Sequence, residues 1–345
     1  MLTAPATALM NQLSCSKKMF LISIAFITPL VFTTYFLVSE QLLSVKFAES
    51  ELTGVEYIIP VRQLIQHFPE HRGMTNAYLS GNKSFKAKVL AKRQQIANDI
   101  ALIDEVDQRL GEQLGTTSRW NDIKNTWQRL ENEAFNGSAK QVFERHTQLI
   151  AEVLELVKQI SDSSNLTLDP ELGSFYIKEA IVTLLPQVVE NLGQARGLSS
   201  GLAARQSVSQ KESVKLTSLI STVQENVNGL KRGMLALGQV NVSLSNKIDS
   251  QVQQTIKGAE SYLNFLGSKI LNADSMSVQS DTVFAKGTDT IKANFQILDM
   301  LAPELKTLIQ QRIDGLYSKM TIVLSIVIGL SIVAIYLFSG FLSII

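Results

Sequence analysis

An all-α fold, built as two tandem four-helix-bundle-like halves outside a membrane and flanked by two transmembrane helices, is what this 345-residue sequence predicts. Three observations carry the prediction. Two long runs near the ends hold no charged residue. Between them, apolar residues recur at three- and four-residue steps, and the middle of the chain matches itself when shifted by 124 residues.

The first run, residues 19–39 (MFLISIAFITPLVFTTYFLVS), and the second, residues 320–345 (MTIVLSIVIGLSIVAIYLFSGFLSII), each exceed the roughly 20 apolar residues that a helix needs to cross a bilayer. The first also exceeds the apolar core of a cleaved secretory signal, and the charged stretch SEQLLSVKFAESE follows it without a small-x-small cleavage site, so it reads as a retained anchor. Residues 1–18 carry Lys17, Lys18 and no acidic residue, which places the N-terminus in the cytoplasm by the positive-inside bias. Residues 40–319 then lie outside and hold all 31 acidic residues and 30 of the 32 Lys and Arg, a balance near neutrality. No basic stripe results, which argues against a nucleic-acid partner. The single cysteine, Cys15, precedes the first run, so the outer segment has no disulfide and is held by packing alone.

Within residues 40–319, Ile96, Ile100, Ile103, Val106 and Leu110 form one apolar stripe; Trp120, Ile123, Trp127 and Leu130 form a second. Phe143, Ile150, Val153, Val157 and Ile160 form a third, and Ile248, Val252, Ile256, Leu263, Leu266 and Ile270 a fourth. Turn-forming residues interrupt these stripes around residues 78–84, 114–117, 135–139, 166–173, 205–210, 237–241 and 272–280, which predicts eight helical stretches. Asp169-Pro170-Glu171 reads as a helix start, with a carboxylate cap and a proline at the first helical position. The first and last stretches run on into the two apolar runs, and Pro303 is the breaker in the last.

The 124-residue shift superposes Val61 on Leu185, Leu64 on Val188, Ile65 on Val189, Phe68 on Leu192 and Arg72-Gly73 on Arg196-Gly197. The chain is thereby read as a duplicated four-helix unit, about 40–165 and 166–319. Arg72 and Arg196 follow a stripe position by four residues and therefore face the bundle. A buried guanidinium needs an anion, which is either an internal carboxylate or a bound ligand oxyanion held by the planar fork. Gly73 and Gly197 cost their helices about 1 kcal/mol each against alanine, a cost that close helix approach or room for a ligand would offset. His71 could add a donor to the same site, but neighbouring helix positions point about 100° apart, which turns it toward solvent instead.

Enzymatic chemistry finds no support. Three histidines (His67, His71, His146) and one cysteine on the other side of the membrane offer neither a metal cluster nor a nucleophile–base pair, and no phosphate-binding glycine loop occurs. No cofactor or metal is called for.

Beyond these physical readings, Leu64–Asn82 (LIQHFPEHRGMTNAYLSGN), Ser164–Ile177 (SNLTLDPELGSFYI) and the anchor–domain–anchor plan resemble the sensory half of methyl-accepting chemotaxis receptors. The Arg-Gly segments are similar to those of the nitrate- and nitrite-sensing helical domain, which is built from two four-helix bundles. The resemblance implies a bacterial inner-membrane sensor with both termini cytoplasmic and a periplasmic domain that binds a small anion, homodimerises and signals across the bilayer. It also implies a HAMP linker and a cytoplasmic coiled coil after the second span, which this sequence does not contain. A truncated product, a fragment, or a sensor acting through a partner's helices would each account for that. The rival expectation is a non-signalling membrane protein whose bundle docks another envelope protein.

Overall fold

In the computed structural model, which describes residues 3–273 and 276–342, the side chains of residues 4, 5 and 342 excepted, the chain is all-α and no strand occurs among the described residues. It divides into two compact units, one formed by residues 1–49 with 310–345 and the other by residues 50–309.

The terminal unit holds the ends of the two longest helices. A short helix α1 (Ala4–Asn11) precedes α2 (Cys15–Leu79), and α10 (Ser280–Leu342) closes the chain. Phe26, Tyr35, Ile335 and Tyr336 are all at least 65% exposed, and none of the described residues covers the most apolar window of either helix. By length and composition three helices could cross a membrane: Cys15–Leu79, Leu172–Arg205 and Ser280–Phe341. The middle one differs in kind. More than half of its window is buried inside the helical domain, and it carries the buried, bonded Glu190 and Arg196. It is a core helix, buried over most of its surface by its neighbours, with its charged groups bonded inside the domain.

The larger unit takes the domain part of α2 with α3 (Phe85–Leu114), α4 (Thr117–Glu133) and α5 (Ala139–Ser163) as one set of four helices. A second set follows: α6 (Leu172–Glu179) continuing through a π-helical turn (Ala180–Leu184) into α7 (Leu185–Arg205), then α8 (Gln210–Val240), α9 (Val242–Leu266) and the domain part of α10. Local chemistry sets the joints. Gly115 takes the left-handed conformation that ends α3, the Ser209 and Glu212 side chains form a reciprocal capping box on α8, and Asn241 alone separates α8 from α9 by capping the latter. Asp169 accepts from the Glu171 N–H and the Ser174 hydroxyl, so it acts as an Asx turn while the helix itself begins at Leu172, two residues beyond the expected proline start. The π turn directly precedes Pro186, whose missing N–H and ring clash would otherwise interrupt the α-helical ladder.

The duplicated stripes are core. Val61, Leu64, Ile65 and Phe68 on α2, and Leu185, Val188, Val189 and Leu192 on α7, are all at most 2% exposed. Helix α2 packs on α4 through Phe68 and Trp127, on α3 through the Tyr57 hydroxyl donating to Asp107, and on α10 through Arg62 with Asp299 and the Phe295 ring. Gly54 is the point of closest approach on α2: a Cβ there would stand 2.0 Å from Ser164 Oγ, so only glycine lets the turn between the two sets lie against that helix.

Candidate functional site

Arg72 and Arg196 come together where α2 crosses α7. A Cβ on Gly73 would lie 3.7 Å from Arg196 Nη2, and one on Gly193 would lie 3.2 Å from Arg72 Nη2, so each arginine reaches over a glycine of the opposite helix. Both guanidinium groups are buried, at 2% and 8% exposure.

Each arginine sits in the same kind of clamp. Arg72 lies over the Phe143 ring (4.8 Å) and donates Nη1 to Thr147 Oγ1 (2.9 Å); Arg196 lies over the Phe284 ring (4.5 Å) and donates Nη1 to Thr288 Oγ1 (2.8 Å). Both threonines return their proton to the carbonyl four residues earlier, Phe143 and Phe284. The clamps are a repeat that sequence inspection missed: VFERHT (142–147) and VFAKGT (283–288). They stand 141 residues apart, whereas the arginines stand 124 apart, so no single shift shows both, because the helices between Arg196 and Phe284 are longer than those between Arg72 and Phe143.

The two clamps differ in what meets the guanidinium. Arg72 is paired bidentately with Glu190 of α7, Nη1 to Oε1 at 2.6 Å and Nη2 to Oε2 at 3.0 Å, and Gln194 Nε2 adds a third donor to that carboxylate at 2.7 Å. The internal ion pair therefore holds at this position. No carboxylate of the described residues comes within salt-bridge distance of Arg196, and its Nε is buried with no acceptor among them. Under the 124-residue shift the counterpart of Glu190 is Gln66, an uncharged amide that donates to Glu70. The acid and the amide are exchanged between the halves: Glu70 takes the counterpart position of Gln194, and its charge acts on Arg196 from beyond salt-bridge distance while its Oε2 pairs with Lys92 at 2.5 Å. Burial lowers the Arg196 pKa and Arg72 lowers it further by like-charge repulsion, while Tyr262 and the Glu70 carboxylate oppose this. Tyr262 is pushed up to about 12 by burial, against the pull of Ser199 and Arg196. Gly287 completes the clamp, since a Cβ there would meet Tyr262 Oη at 2.6 Å and Arg196 Cγ at 2.9 Å.

Gly197 packs ordinarily, its Cβ position 3.7 Å from the Phe143 ring. His71 corrects the expectation of a solvated side chain: it is fully buried, edge-on to Trp127, with Nδ1 2.7 Å from His146 Nε2. Helix α2 is covered by α4 and α5 on that side, so the face 100° from Arg72 is also interior. His146 Nδ1 must donate to the Val142 carbonyl (2.7 Å), hence its Nε2 accepts from His71 Nδ1, and His71 Nε2 is left without a donor among the described residues. Burial pushes His71 down to about 2 and His146 down to about 4, the first also by the other ring and by Arg93 and Lys92, so both are neutral. They brace α2 against α5 beside the Arg72 clamp and offer no charge to an anion. No group of His, Cys, Asp and Glu suited to a metal ion occurs among the described residues.

Residues 63–317, which include both clamps, match the family model described as nitrate and nitrite sensing. Among solved structures, the NasR transcription antiterminator is similar with a TM-score of 0.59 at 15% identity, covering 87% of this chain and 79% of that one. At that identity the likeness speaks for the fold. No curated protein matches the chain.

Proposed function

We propose, from the premise that the chain belongs to the nitrate and nitrite sensing family, that its helical domain senses a small planar oxyanion of the nitrate class and that Arg196 is the group that holds it. The observation that carries this is the buried Arg196 with no carboxylate partner among the described residues, beside a pseudo-equivalent Arg72 that has one. A guanidinium removed from water requires a counter-charge, and its planar fork matches nitrate, nitrite or a carboxylate in geometry. Gly73 keeps the facing wall of α2 free of side chain, and the nearby hydroxyls of Thr288, Ser199 and Tyr262 donate to the Phe284, Ala195 and Val283 carbonyls, which leaves the guanidinium as the charged donor of the site. A single buried guanidinium asks for one negative charge, which favours a small ion over a peptide or a nucleotide.

Transmembrane signalling of the chemotaxis-receptor kind is the proposed use of that binding. Supporting it, α2 carries Arg72 and α10 carries Thr288, and each is continuous in sequence with an uncovered apolar run. A change in how the clamp residues meet would load the two helices that lead into the runs, with shifts on the scale of 1–2 Å known for such helices. Two cytoplasmic termini, a periplasmic domain and a homodimer belong to the same proposal. The test is thermal unfolding of the full chain in detergent with added sodium nitrate. Nitrate at about one hundred times its Kd stabilises by ~2.7 kcal/mol, which raises Tm, and Arg196→Lys, which keeps the charge but loses the fork, shrinks the rise. No rise with nitrate or nitrite refutes the assignment.

A further inference from the structure

The arrangement around Arg72 goes beyond a static pair. On α7, Glu190, Gly193 and Arg196 follow one another at three-residue steps and so share a face, the face that meets Arg72. Arg72 crosses that face at Gly193, with Glu190 one turn before it and Arg196 one turn after. Any side chain at residue 193 would crowd the guanidinium, since a Cβ already stands 3.2 Å from Nη2. The glycine leaves Arg72 a path along α7 between the two neighbours.

Without an anion the two positions are unequal. Glu190 offers two carboxylate oxygens, and Gln194 orients it; Arg196 offers only repulsion. With a planar oxyanion on Arg196 the balance changes, because the ion's free oxygens present to Arg72 the same acceptor geometry as a carboxylate. We propose that Glu190 is a built-in competitor for the sensed oxyanion: its carboxylate occupies the fork of Arg72 in the anion-free protein, and full binding moves Arg72 from Glu190 onto an anion shared with Arg196. This rests on the assignment of the oxyanion to Arg196. The consequence is a two-position element. Arg72 also holds Thr147 of α5 and lies over Phe143, so its movement along α7 changes how α2 and α5 sit on α7, which converts occupancy into helix displacement. Glu190 also sets the sensitivity, since apparent affinity falls by the fraction of molecules in which the fork is free.

Isothermal titration of the full chain in detergent with sodium nitrate tests this, using wild type, Glu190→Gln and Glu190→Asp. Glu190→Gln keeps an amide oxygen for Arg72 but removes the competing charge, so nitrate should bind at least about tenfold more tightly, the low end of what a charge-assisted pair contributes. Should that variant fail to fold, Glu190→Asp keeps the charge and retracts it by one methylene, and a tightening of about threefold or more is expected. Equal or weaker nitrate binding by the folded variants, with wild type binding normally, overturns the competitor role and leaves the Arg196 site standing. No binding by wild type or by either variant overturns both.

Discussion

Lowering pH should unfold this domain through the His71–His146 pair, well before its carboxylates are all protonated. In the folded protein both rings are buried and neutral, held down to about 2 and about 4, whereas in the unfolded chain histidine titrates near 6.5. The folded values are depressed, so the unfolded state binds more protons below pH 6.5. The contribution is therefore complete above pH 6.5 and lost as pH falls through the folded values. The slope is about 1.4 kcal/mol per pH unit for each histidine. Two units of acidification, to pH 4.5, cost ~2.7 kcal/mol per ring and up to ~5 kcal/mol for the pair. For a domain of this size 1 kcal/mol moves Tm by about 2–4 °C, so the expected drop is about 10 °C or more. Intrinsic fluorescence of Trp120 and Trp127 reports the melt, since both are buried on α4 and His71 touches Trp127. The control is the double variant His71→Gln with His146→Gln, uncharged at every pH. Carboxylates titrate in both proteins, so the difference between their pH dependences isolates the pair. If wild type and the double variant lose the same number of degrees between pH 7 and pH 4.5, the rings are not held neutral by burial and the reasoning fails.

Gln66→Glu should abolish nitrate stabilisation, because it supplies to the second half the carboxylate that Glu190 supplies to the first, at the cost of the Gln66–Glu70 hydrogen bond and a like-charge pair one turn apart; persistence of the full nitrate shift would refute the pseudo-symmetric correspondence. Alkaline phosphatase fused after Asn82 or after Asn241 should be active in a bacterial host, as the lysines before residue 19 demand, and two inactive fusions would overturn the periplasmic placement.

Much of the architecture was legible from periodicity, because a helix that buries one face must repeat apolar residues every three to four positions, and the stripes carrying Phe68, Trp127, Ile150 and Ile256 do so. The paired Arg-Gly segments were legible for a similar reason: a charge placed on such a stripe has to be interior and has to be neutralised. What the linear chain does not encode legibly is which anion answers which arginine. Glu190 lies 118 residues from Arg72, and nothing local distinguishes it from a solvated helix glutamate. His71 was misplaced by the same blindness, since helical spacing gives an angle around α2 but not how many neighbours surround that helix. Sequence by itself determined the all-α class, the two uncovered apolar runs and the presence of two inward arginines. Only the tertiary structure decided that Arg72 is closed by Glu190 while no carboxylate of the described residues comes within salt-bridge distance of Arg196, because that depends on the register at which α7 crosses α2, set by packing of both halves together.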